Sequence, residues 1–348
     1  MTADFHIGKP FTNDVIVVDG LWGTGKSMLS SLIGTLAGVE KKRIDHIFEY
    51  LATGYSMEVI SPSFASALIR IYTDLDQYNN LIGREVNLRR SDDSGFRNTP
   101  GSFRYLRRLV GGEGDLIVDK INQENLALLL VTHHLTGVSD HLYSSLGKRL
   151  HLIEVVRHPL QLVNYWETYF KNFERSREFT LCISVNGMRV PWFARHWAEE
   201  FIQMRPIDKA IRSIAQLQGF GISNGSNGME TSRAVRGHHL IVAFEHVLTN
   251  TYAVLAQVTH FLNRPLTPNT KRALRRQKLP RPLASRGRAV NKMNWLPNPR
   301  ISYEQQLEEI MTSVKCRASI QSVELLETCI QGYGQHLLDL SSKLSLTD

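Results

Sequence analysis

Short apolar runs without polar alternation recur along the chain, at residues 15–18, 116–118, 126–131, 152–156 and 240–244. An unbroken run predicts a strand covered on both faces, and gaps of tens of residues call for helical crossovers rather than hairpins. Residues 126–131 read equally well as a piece of buried helix. Between the runs, residues 27–37, 160–175, 193–218 and 250–262 repeat apolar positions at three and four, the period of an amphipathic helix. Pro206 should kink or divide the third of these.

Two stretches are too polar for packed elements. Residues 219–237 hold five glycines among Ser and Asn and read as a loop able to act as a lid, and residues 91–102 are similar. Residues 303–344 predict helix broken near Gly332 and Gly334. The pattern is that of an α/β protein with a central, mostly parallel sheet in three layers. With no internal repeat, the 348 residues form one domain ending in a helical segment, 303–348.

At 42% hydrophobic and 21% charged residues the composition excludes a disordered chain. No run is apolar enough to span a membrane, and the first residues lack a signal peptide's cationic and apolar regions. Cys182, Cys316 and Cys329 form neither a CxxC pair nor an even set, so no disulfide framework or zinc site is expected, and the chain reads as cytoplasmic. The net charge of +8 favours anionic partners. Residues 264–300 carry eleven Lys or Arg and no acid, enough to exceed the whole excess. An anion site is expected there, the alternatives being a solvated face or a nucleic-acid surface; six prolines argue against one continuous helical groove-reader, and no nucleic-acid module is recognisable.

The sharpest chemical signal is Gly20-Leu-Trp-Gly23-Thr24-Gly25-Lys26-Ser27, which satisfies GxxxxGK[ST] between an expected strand and an expected helix. Its glycines let successive N–H groups converge, the helix N-terminus adds partial positive charge, and Lys26 supplies a cation; together these bind phosphate. Arg157, followed by His158 and Pro159, ends another apolar run, where open α/β sheets bind ligands and where a guanidinium suits phosphate oxygens. His133 and His134 end a third, placed to take a proton from a substrate hydroxyl. Glu245 reads as a carboxylate bracing a turn, and Tyr165, Trp166 and Tyr169 as core aromatics.

In this order the residues resemble the sulfotransferases that use PAPS (3′-phosphoadenosine 5′-phosphosulfate). The segment from Val131 to Trp166 is similar to that family's histidine turn, strand, arginine turn and aromatic helix. Residues 240–248, running into residues 251–266, look like its strand, acidic turn and helix, and Ser285-Arg286-Gly287-Arg288 like its late basic segment. The resemblance implies a P-loop, sulfotransferase-like fold and transfer of a sulfonyl group to a hydroxyl or amine on a carbohydrate or small metabolite. It implies that Gly23, Thr24, Gly25, Lys26 and Ser27 hold the 5′-phosphosulfate and that Arg157, with Arg286 and Gly287, holds the 3′-phosphate. Asn164 stands, one residue short, where the family has a serine. His134 would be the base, with His133 as its rival, and Lys26 would stabilise developing charge. The acceptor would be enclosed by residues 55–108 and the loop 219–237.

Two departures matter. The family usually has a cation where Gly23 stands, and here the cation is Lys26, as in nucleoside-triphosphate enzymes. This keeps open an ATP-dependent kinase or NTPase in which Ser27 and Asp119 hold magnesium. A third reading is a nucleotide- or nucleic-acid-binding module without turnover.

Overall fold

The computed structural model describes residues 4–84, 86–89, 95, 103–175, 179–220, 238–284 and 300–345. Arg286 and Gly287, and nearly all of the stretches 91–102 and 219–237, lie outside the described residues.

The chain opens with β1 (Val15–Asp19), α1 (Lys26–Ile33) and the short β2 (Arg43–Ile44). Four helices follow, α2 (Ile47–Ser56), α3 (Pro62–Leu81), α4 (Phe103–Arg108) and α5 (Asp115–Glu124), before the chain returns as β3 (Leu128–Val131). Next come α6 (Asp140–Leu146), β4 (Leu150–Val156), α7 (Leu160–Lys171) and a hairpin of β5 (Cys182–Val185) and β6 (Met188–Pro191). α8 (Ala198–Gln203), α9 (Pro206–Gln218), β7 (His239–Ala243), α10 (Phe244–Thr249), α11 (Thr251–Leu262) and α12 (Pro268–Gln277) lead to the closing pair α13 (Tyr303–Lys315) and α14 (Ile320–Ser345).

β2, β3, β1, β4 and β7 form, in that order, one sheet whose neighbours are all parallel. The strands are mostly apolar because both faces are covered, with Asp19, His151, Glu154 and His239 as the polar exceptions in β1, β4 and β7. Val15, Val17, Leu128, Leu130, Leu150 and Leu152 face a core shared with α2, α6, α7 and α9. Ile16, Val18, Leu129, Ile153 and Val155 face the opposite core, built with α1, α11 and α12. This is the expected three-layer α/β class. The switch point lies between β1 and β4: the chain leaves β1 toward β2 on one side and β4 toward β7 on the other, and the turns after β1, β3 and β4 share one carboxyl edge, where such sheets form ligand crevices.

Two expectations are corrected. Residues 116–118 open α5 rather than forming a strand: Ile117 and Ile121 are buried four apart while Leu116 is exposed, the helical period rather than a two-sided core. Asp119 therefore lies on a helix and not on the sheet's carboxyl edge. α14 runs unbroken through Gly332 and Gly334, anchored by the buried side chains Leu326, Cys329, Tyr333 and Leu340; the interruption lies earlier, between α13 and α14. As expected, Pro206 divides the third amphipathic stretch: α8 ends at Gln203 and α9 starts at Pro206, whose missing N–H has no intrahelical partner to lose. β2, β5 and β6 had no signal in the apolar pattern, β2 being two residues long and the hairpin only partly buried.

Candidate functional site

The glycine turn after β1 takes the form its sequence requires. Gly23 and Gly25 have φ of 89° and 90°, and a side chain on Gly25 would meet the Phe244 ring at 2.2 Å. Only glycine fits there. α1 begins at Lys26, whose ammonium is folded back onto the turn, donating to the carbonyl oxygens of Gly20 and, at 3.1 Å, Leu21. Lys26 is 5% exposed. Burial pushes its ammonium down to about 8, against the pull of Asp19 and Glu49. Thr24 Oγ1 donates to the Leu21 carbonyl and Ser27 lies on the first turn of α1.

Arg157, half-buried at the end of β4, donates from Nη1 to the Gly23 carbonyl at 2.7 Å and lies over the Phe244 ring, 4.6 Å from its centroid. Its Nε is buried without a partner. Glycine turn and guanidinium thus meet in one place. Asn164 is engaged elsewhere, accepting from Arg317 at 3.3 Å. Glu245 accepts from the His158 N–H and from the hydroxyls of Tyr303 and Tyr333, tying α13 and α14 to the arginine turn, as its reading as a brace implies.

Asp19 fixes the histidine turn. Fully buried at the end of β1, it accepts from the Thr132 hydroxyl (2.8 Å) and from the N–H and hydroxyl of Thr136 (2.8 and 2.7 Å). The intervening residue His134 is left-handed, with φ of 60°. As a result the two imidazoles part. His134 is 5% exposed and packed against Trp22, Trp166 and Phe193, with ring centroids at 4.4, 5.2 and 5.8 Å, and neither ring nitrogen has a partner. Burial, and next the Lys26 charge, hold it well below the usual histidine value.

His133 instead meets α2. Its backbone N–H donates to Glu49 Oε1 at 2.7 Å and its Nδ1 lies 3.1 Å from the same oxygen. Glu49 Oε2 lies 3.1 Å from Nδ1 of His46, whose ring stacks on His133 at 5.4 Å. Burial raises the Glu49 carboxyl above its usual range, the Glu49 contact raises His46, and burial lowers His133.

Both histidines border a cavity of about 740 Å³ walled by Trp22, α2, α7 and the chain around the hairpin. Tyr165 and Tyr169 line it, while Trp166 alone of that trio is fully buried. This wall differs from the expected enclosure by residues 55–108. Glu49, His46, Trp22 and Trp192 were not singled out from sequence. The i, i+3 spacing of His46 and Glu49 was the available signal.

No family model matches the chain, and no curated protein matches it. Among solved structures it is similar to the sulfotransferase domain from the Synechococcus PCC 7002 olefin synthase, at 13% identity and a TM-score of 0.41, covering 94% of this chain and 98% of that one. A sulfotransferase domain from the curacin biosynthetic pathway follows at 13% and 0.38, covering 87% and 98%. A sulfotransferase from Mycobacterium tuberculosis H37Rv gives 11% and 0.36, covering 86% and 76%. Likenesses this low do not bear on what the site does. Among the described residues, no helix is long and apolar enough to cross a membrane.

Proposed function

We propose that this chain transfers a sulfonyl group from PAPS to a hydroxyl-bearing acceptor, an amine being the other nucleophile such a site accommodates. The observation that carries this reading is the Arg157 guanidinium, partnerless at Nε, laid on Gly23 of the phosphate turn beside the buried Lys26. An anion with phosphate-like oxygens satisfies both cations at once. The residues present therefore fit the 5′ end of such a nucleotide: Gly23, Thr24, Gly25, Lys26 and Ser27 would hold it, and Arg157, expected from the resemblance at the 3′-phosphate, is reassigned to this end because its guanidinium lies on Gly23. Arg286 and Gly287 are proposed for the 3′-phosphate by the sequence resemblance.

PAPS, when bound, supplies a sulfonyl group on a phosphosulfate bridge whose cleavage leaves adenosine 3′,5′-bisphosphate. The chain's own part is electrostatic and acid–base. Lys26 turns from its carbonyl partners toward the anion and, with the N–H groups opening α1, offsets charge building on the leaving oxygen. A histidine at the end of β3 takes the acceptor's proton as the new O–S bond forms. The aromatic cavity orients the acceptor and limits water, the competing nucleophile.

The ATP reading requires a carboxylate beside Ser27. Asp119, the residue that was to supply it, stands on α5, and the oxygens of Asp19 are taken up by Thr132 and Thr136. A thermal-shift comparison separates the two, because a ligand of the native state raises stability by mass action. Adenosine 3′,5′-bisphosphate with EDTA should raise the Tm, and radiolabelled PAPS should transfer label to an acceptor. Stabilisation by ATP with magnesium alone would overturn the proposal.

A further inference from the structure

We infer that His133, rather than His134, is the base that takes the acceptor's proton, and that Glu49 is the positioning residue that aims it. The inference rests on the transfer reading above and assigns its proton path. A carboxylate only accepts, so a short Nδ1 contact places a proton on Nδ1 and leaves the Nε2 lone pair for the substrate. His133 meets that condition. Its Nδ1 and its own backbone N–H both point at Glu49 Oε1, which fixes ring orientation and tautomer together. It also borders the 740 Å³ cavity with part of its side chain open, 16% by exposure. His134 lacks an orienting partner: both its nitrogens are unbonded inside the Trp22, Trp166 and Phe193 cage.

His46 shares the same carboxylate through Oε2, on the more exposed side of the pair. Glu49 therefore orients two parallel imidazoles, of which His133 lies next to the phosphate turn through Trp22. In the step, the acceptor O–H bond breaks and its proton goes to His133 Nε2. The O–H electron pair forms the bond to sulfur, and the sulfur–bridge oxygen bond breaks to release the bisphosphate. The imidazolium so formed is stabilised by the Glu49 carboxylate. The charged and titratable groups facing His133 are Glu49 and His46 on the α2 side, Lys26 on α1, the adjacent His134 and, through Glu49, Asp19.

Activity and tautomer are measured separately. His133→Ala should lower kcat about 10²- to 10⁴-fold, with added imidazole restoring part of it. Glu49→Gln should lower kcat about 10- to 100-fold, leave KM for PAPS unchanged and change the acid limb of the pH–rate profile. His134→Asn keeps a residue that tolerates the left-handed backbone, and its kcat should be about tenfold or more above that of His133→Ala. Nitrogen-15 NMR of histidine-labelled wild-type protein should show His133 neutral with its proton on Nδ1, and Glu49→Gln should disturb that signature.

A His134→Asn enzyme as inactive as His133→Ala would overturn the assignment, as would an unchanged Glu49→Gln enzyme or a His133 proton on Nε2. A Tm rise with zinc alone, lost in Glu49→Gln, would also overturn it, making His46, Glu49 and His133 a metal site. A wild-type chain that transfers nothing from PAPS removes the functional reading and the base role with it, while the NMR spectrum still decides the Glu49–His133 pairing.

Discussion

Lys26 gives the most quantitative test of the phosphate site. Burial has moved its ammonium from the usual 10.5 to about 8. At about 1.4 kcal/mol per tenfold change in proton affinity, that is a charge disfavoured by about 3 kcal/mol in the ligand-free protein. The folded value lies below the unfolded one, so the unfolded chain binds the extra proton between pH 8 and 10.5, and ligand-free stability should rise across that window. An anion bound in the turn supplies the counter-charge that the two carbonyls do not, and returns Lys26 toward its ordinary value. Binding is then linked to proton uptake.

The size of the linkage follows from the two limits. At pH 7 nearly all free protein already carries the proton, and uptake is about 0.1 proton per ligand. At pH 9 only about a tenth carries it, and uptake rises to about 0.9. Affinity for adenosine 3′,5′-bisphosphate should therefore fall about tenfold from pH 7 to pH 9. The ligand's phosphates, with second pKa values near 6, do not titrate in that range. Calorimetry at pH 9 in buffers of different ionisation enthalpy reads the uptake directly, and Lys26→Met should abolish it together with the pH dependence. No uptake in the wild type, or equal uptake in Lys26→Met, would refute the reasoning.

Arg157→Ala should weaken adenosine 3′,5′-bisphosphate about 10- to 100-fold, as loss of charge-assisted hydrogen bonds costs about 1.5–3 kcal/mol, and Arg157→Lys should not restore it because the planar stack on Phe244 goes with the guanidinium; titration calorimetry decides. Gly25→Ala should lower stability by about 1–3 kcal/mol in chemical denaturation, and adding Phe244→Ala should not recover all of it, since the φ of 90° stays costly once the clash at 2.2 Å is gone. Glu245→Gln should cost about 2–4 kcal/mol, because buried donors from His158, Tyr303 and Tyr333 all end on that carboxylate; an unchanged Tm would contradict its role as the brace.

Much of the frame was legible because its causes are local. Strands covered on both faces are apolar at nearly every position, which is why four of the sheet's five strands stood out, and the phosphate turn announces itself because its glycines have no substitute at φ near 90°. The failure at residues 116–118 has the same logic. Three apolar residues cannot distinguish a strand from one helical turn, and the deciding fact, that Ile117 and Ile121 bury against Tyr78 and Phe11, belongs to tertiary packing. The role of Glu49 lay beyond the pattern for a different reason. It stands 84 residues from His133, on a helix entered from the edge strand β2, and only the parallel order β2, β3, β1 brings the two to one carboxyl edge.

The histidine pair shows most sharply what a chain leaves unstated. Both imidazoles border the cavity, and their adjacency in the chain does not say which of them finds an orienting partner and which is caged. That choice is made by Asp19, which grips Thr132 and Thr136 on either side and holds His134 left-handed between them. A left-handed histidine costs about 1–2 kcal/mol, and the three hydrogen bonds to a fully buried carboxylate offset it. Asp19→Asn keeps the size but replaces one accepting oxygen with an amide donor, so the acceptor of either Thr132 or Thr136 is lost. The turn should then relax, the Nδ1 contact to Glu49 should loosen, and turnover should fall while the bisphosphate, held by the glycine turn and Arg157, binds as before. Equal losses in turnover and in bisphosphate affinity would mean that Asp19 supports the phosphate turn and not the histidines.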